Sequence, residues 1–98
     1  MNFRSQARAT TLTVKPNPDV LFRRLGDDMV LFHLGSDRFF ELNATGARFW
    51  ELLTAGHDVD DALQLMREEF AVDPEELERE ATALLEMLRR ENLMTVND

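Results

Sequence analysis

At 98 residues, 44% hydrophobic and 31% charged, the chain has the length and composition of one globular domain and not of a disordered tail. A net charge of −8 argues against nucleic acid as the main partner, because phosphate binding needs a basic face. With no cysteine, disulfides, thiolate metal sites and cysteine nucleophiles are excluded together.

The N-terminus, MNFRSQARATTLTV, lacks the apolar block of a secretory signal. No apolar run approaches the roughly 18 residues of a membrane span, so the expected compartment is the cytoplasm, with no membrane partner. Residues 1–19 read as a polar, basic lead-in, and Pro16-Asn17-Pro18 as a stiff hinge into a domain over residues 20–98. Within the lead-in, Thr10–Val14 is rich in β-formers. The charge divides sharply. Through Arg24 there are five basic residues against one acid, +4; from Leu25 onward there are six against eighteen, −12.

Three strands are predicted next, Val20–Leu25, Met29–Leu34 and Arg38–Leu42. They are joined by Gly26-Asp27-Asp28 and Gly35-Ser36-Asp37, loops short enough to make an antiparallel meander. The second strand is apolar on both faces, as a central or doubly covered strand is. Three helices come after it. Asn43 caps Ala44–Leu53, which stops at Gly56. Asp58 caps a helix with Val59, Ala62, Leu63, Met66 and Phe70 on one stripe. Asp73, Pro74 and Glu75-Glu76 give the strongest start signal, for a helix running to about Glu91 with Leu77, Ala81, Leu84, Leu85 and Leu88 on one face. Asn92 suits the left-handed position that ends it, with Leu93 folding back. The fold class is therefore α+β, a three-stranded antiparallel meander followed by three helices, which is the composition of a winged helix-turn-helix.

Little in the chain reads as chemistry. His33 and His57 lie 24 positions apart without a second ligand at metal-binding spacing, and each reads as a satisfied core or surface histidine. The glutamates flank helical stripes as solvated faces do, and no phosphate loop or nucleophile elbow is present. Trp50 reads as core. The third strand stands apart. Arg38-Phe39-Phe40-Glu41-Leu42 is an edge in a simple meander, yet it has no proline and has apolar side chains on both faces. Natural edges are usually blunted, and an open apolar one is what an added peptide strand requires.

The stretch from Phe32 to Met94 resembles the PqqD-like family, the precursor-peptide recognition elements of ribosomally synthesised, modified peptides. The resemblance is carried by Leu42-Asn43-Ala44-Thr45-Gly46, Phe49-Trp50-Glu51-Leu52-Leu53, Phe70-Ala71-Val72-Asp73 and the leucine-rich last helix closing in Leu93-Met94. It implies a winged-helix-like peptide chaperone without catalytic activity, cofactor or metal. Such a protein binds a precursor's leader segment and presents it to a radical SAM enzyme, a leader peptidase or a cyclase. It further implies that the leader lies along Arg38, Phe39, Phe40, Glu41 and Leu42, opposite Ala81, Leu84, Leu85 and Leu88. Two positions depart from the family pattern: Glu80 where aspartate is common, and Asn92 where glycine is usual. The expected state is a monomer or weak dimer. A winged-helix transcription regulator is the alternative of another class, disfavoured by only four arginines among many acids on the last two helices.

Overall fold

The computed structural model describes residues 13–97. Strands β1 (Thr13–Pro16), β2 (Val20–Leu25), β3 (Asp28–His33) and β4 (Arg38–Leu42) come first. Helices α1 (Ala44–Thr54), α2 (Val59–Glu69) and α3 (Pro74–Arg90) come next, and β5 (Met94–Asn97) closes the order. Strands β2, β3 and β4 form the antiparallel meander, with β3 central. The first hairpin closes tighter than its three-residue expectation. Leu25 pairs with Asp28, leaving the two-residue turn Gly26-Asp27 with Gly26 at φ +65°, a conformation glycine adopts without steric cost. The second hairpin is longer than expected. His33 pairs with Arg38, so Leu34 lies in the loop and not in the strand, and Asp37 turns the chain at φ +60°.

Alternation along β3 sets the two faces of this sheet. Met29, Leu31 and His33 are buried on the inner face, against the helices. Val30 and Phe32 point the other way and stay half-exposed. The helices begin where their caps predict. Asn43 Oδ1 accepts from the Gly46 N–H at 2.9 Å, and Asp58 Oδ1 from the Asp61 N–H at 2.8 Å. Asp73 accepts from the Glu75 N–H ahead of Pro74. Phe49, Trp50, Leu53, Met66, Leu77 and Leu88 fill the core from the three helices. Trp50 is fully buried, edge-on to Phe22 at 5.6 Å. On the surface, Arg48 clamps both carboxylate oxygens of Glu69 at 2.8 and 2.9 Å, tying α1 to the end of α2.

The end of α3 obeys its sequence signal. Asn92 takes φ +60°, the Leu93 N–H returns to the Leu88 carbonyl at 2.8 Å, and Leu93 is buried. Beyond Leu93 the chain adds a strand that no sequence pattern announces. β5 pairs antiparallel with β1 from Thr13↔Asn97 to Pro16↔Met94, making a second, two-stranded sheet. Of the β-forming stretch Thr10–Val14, residues 10–12 lie outside the described residues, while Thr13 and Val14 belong to β1. The Pro16-Asn17-Pro18 hinge is docked by its asparagine. The Asn17 N–H bonds the Leu93 carbonyl at 3.0 Å, and Asn17 Nδ2 bonds the Asn92 carbonyl at 2.8 Å. His33 adjoins this junction. Its Nδ1 accepts from the Ser36 N–H at 3.2 Å, and its Nε2 lies 3.4 Å from Asn17 Nδ2. No helix among the described residues is long and apolar enough to cross a membrane.

Candidate peptide-binding edge and groove

Among the described residues, β4 hydrogen-bonds to β3 alone. In an antiparallel pair, alternate residues of an edge strand turn both backbone polar groups away from their partner, so β4 presents a row of donors and acceptors that an added strand could satisfy. Its side chains alternate as the register requires. Arg38, Phe40 and Leu42 share the inner face with His33, Leu31 and Met29, while Phe39 and Glu41 lie across from Phe32 and Val30 on the outer face. Phe39 is 71% exposed and packs on Phe32 at 4.6 Å. Phe40 is half-buried beneath the Arg38 guanidinium, 5.1 Å from the ring centre. Arg38 in turn reaches the end of α3, where Nη1 pairs with Glu91 Oε1 at 2.6 Å. That pair bridges β4 and α3 at one end of the strand.

At the other end a cavity of about 440 Å³ opens between Leu42, the first turns of α1 and the middle of α3. Leu42, Phe49 and Met66 line it from the core, Ala81, Ala83, Leu84 and Met87 from α3, and Asn43 and Thr45 from the cap of α1. Gly46 permits this geometry. A Cβ there would stand 3.3 Å from Leu42 Cβ and 3.4 Å from Leu84 Cδ2. Glu41 and Glu80 border the cavity, and both are exposed. An apolar hollow beside an unpaired strand edge can take a side chain from a peptide whose backbone completes the sheet.

Of the residues proposed from sequence, Glu41, Leu42, Ala81 and Leu84 line this cavity. Arg38, Phe39 and Phe40 lie along the same strand edge but outside it. Leu85 is half-buried and Leu88 fully buried against the core, and neither lines the cavity. Lining residues that sequence reasoning did not assign to the site are Asn43, Thr45, Gly46, Phe49, Met66, Glu80, Ala83 and Met87. Glu80, Leu84 and Met87 fall at i, i+4 and i+7, one flank of the core stripe Leu77, Ala81 and Leu88, so helical periodicity did hold the signal. What it lacked was the side on which the neighbouring strand lies.

The outer face of the meander is a second apolar surface. Leu21 and Leu25 are 56% and 54% exposed, and with Val30, Phe32 and Phe39 they occupy one side of the sheet. Among the acids of the described residues, Glu69 is clearly shifted, held below its ordinary range by the hydrogen bonds from Arg48, and it belongs to the α1–α2 clamp.

No curated protein sequence matches the chain significantly. Two solved structures share its fold. One is TbiB1 in complex with the TbiA(beta) leader peptide, with a TM-score of 0.76 and 30% identity over 83% of this chain and 94% of that one. The other is a lasso peptide synthetase B1 complexed with the leader peptide, with a TM-score of 0.71 and 28% identity over 87% of this chain and 98% of that one. Residues 28–94, from the first residue of β3 through the first residue of β5, match the model of the family described as coenzyme PQQ synthesis protein D, and the chain belongs to this PqqD family.

Proposed function

We propose that this protein is a non-enzymatic recognition module that binds the leader segment of a ribosomally synthesised precursor peptide and presents the remainder to a modifying enzyme. The leader adds to β4 as a further strand, and its inward side chains enter the cavity beneath α3. The observation that carries the reading is the conjunction of a strand edge that is unpaired among the described residues with a ready-made apolar cavity beside it, in a fold shared with two leader-peptide complexes. Ladder bonds to main-chain groups supply sequence-independent affinity, and the cavity supplies selection. The enzyme, whether a radical SAM enzyme, a peptidase or a cyclase, contacts the complex away from the groove. The exposed apolar outer face of the meander supplies area for that contact.

The test is a titration of the 15N-labelled chain with the synthetic leader of a short precursor encoded beside its gene. The expected result is saturable binding, with the largest amide shifts at residues 38–42 and 80–87. Shifts concentrated on α2, or no binding, would remove the reading.

A further inference from the structure

The cavity beside β4 is apolar within and acidic at its border. Glu41 stands on the strand side and Glu80 on the α3 side, and no lysine, arginine or histidine lines it among the described residues. Elsewhere on the surface several carboxylates are matched by arginine: Glu51 and Glu69 by Arg48, Glu86 by Arg89, Glu91 by Arg38. Among the described residues, Glu41 and Glu80 take part in no ion pair. Both are exposed, so each remains a solvated negative charge facing the path of any strand laid on β4.

Strand geometry says which peptide position meets them. An added strand repeats the alternation of its neighbour. Its residue across from Leu42 turns inward, toward the cavity, and the adjoining residue, across from Glu41, turns outward beside that carboxylate. Opposite charges across neighbouring strands stabilise the pairing, and like charges oppose it. Resting on the peptide-binding reading above, we propose that Glu41 and Glu80 are specificity-determining residues. They select a leader strand that carries a bulky apolar side chain for the cavity and a lysine or arginine next to it. Glu41 holds the cation on the outer face, and Glu80 adds negative potential from across the cavity. An acidic residue at that peptide position is rejected. The body of the chain from Leu25 onward, at −12, draws a cationic peptide toward the same region and raises the association rate.

The test is a selection of random 15-residue peptides by display on the full chain, run in parallel on the double variant E41Q/E80Q. The wild-type pool should converge on strand-forming sequences with a bulky apolar residue adjoined by lysine or arginine. The variant pool should keep the apolar residue and lose the cation. The best wild-type peptide should bind E41Q/E80Q about three- to tenfold more weakly at low salt, with the difference shrinking in high salt, as expected for a partly screened ion pair. Glu78, exposed on α3 away from the cavity, is the control: E78Q should bind as the wild type does, and an equal loss there would reduce the effect to net charge and overturn the proposal. Apolar anchors without cation enrichment in the wild-type pool would overturn this inference and leave peptide binding standing. A wild-type pool with no convergent sequence would overturn both.

Discussion

Phe39 and Met87 show how single residues divide the work between fold and groove. Phe39 is largely exposed on the outer face and contributes little to the core, whereas Met87 is half-buried and walls the cavity. Met87→Asp would place a carboxylate where an apolar side chain must enter, and desolvating it should weaken peptide binding by about 1–3 kcal/mol, read by calorimetric titration. Leu85→Asp supplies the contrast. Leu85 packs on the core without lining the cavity, so that substitution should lower the unfolding midpoint in urea and leave the affinity of the folded fraction unchanged. Gly46 gives a third expectation. Alanine there gains roughly 0.5–1 kcal/mol of backbone preference within a helix, but its Cβ presses on Leu42 and Leu84 at 3.3 and 3.4 Å. Gly46→Ala should therefore melt close to the wild type while binding peptide more weakly, because Leu84 yields toward the cavity.

The elements differ in how plainly the sequence announces them. The three helix starts are legible because a cap is local: Asn43, Asp58 and Asp73 each satisfy an N–H two or three residues on. The stop at Asn92 is legible for the same reason. β1 and β5 are not, since each is four residues long and they meet across nearly the whole chain, with no periodicity to mark either. Leu34 reads as strand on its apolar character but lies in a loop, where the turn geometry at Asp37 decides the outcome. Because β1 belongs to the fold, a truncation that reaches it should cost stability. Removing residues 1–16 deletes β1 and the contact of Val14 with the core, and a loss of about 1–2 kcal/mol should lower Tm by roughly 4–16 °C, read by thermal denaturation. The Arg48–Glu69 clamp makes a smaller, pH-dependent contribution between α1 and α2. Glu69 keeps its charge to lower pH when folded than its ordinary value of 4.5, so the clamp's contribution is complete above that value and disappears as pH falls through the depressed folded value. Arg48→Gln should cost at most about 1 kcal/mol at pH 7, since both partners are over one-third exposed. The gap to wild type should narrow as the pH is taken progressively below 4.5, as measured by urea unfolding across that range.

Taken whole, the described residues form a small acidic scaffold whose three helices support one side of a meander and, among themselves, leave its last strand and outer face open. The two-layer order is readable because hairpins and helical stripes are short-range patterns, and the absence of a βαβ unit is enough to exclude a parallel sheet. The groove is readable only in part. Arg38–Leu42 declares itself by being an edge without proline and with two adjacent phenylalanines, a property of the strand alone. The α3 wall depends on how that helix is rotated against β4. Leu84 and Met87 therefore face the cavity while Leu88, on the same stripe, is spent in the core. The most direct measurement of strand addition is amide hydrogen exchange of the intact chain, free and saturated with a selected peptide, resolved to single residues. The account predicts slowed exchange at alternate amides of Arg38–Leu42, those turned away from β3, together with slowed exchange in the peptide's own strand. Saturated peptide with β4 amides exchanging as fast as in the free chain would contradict it.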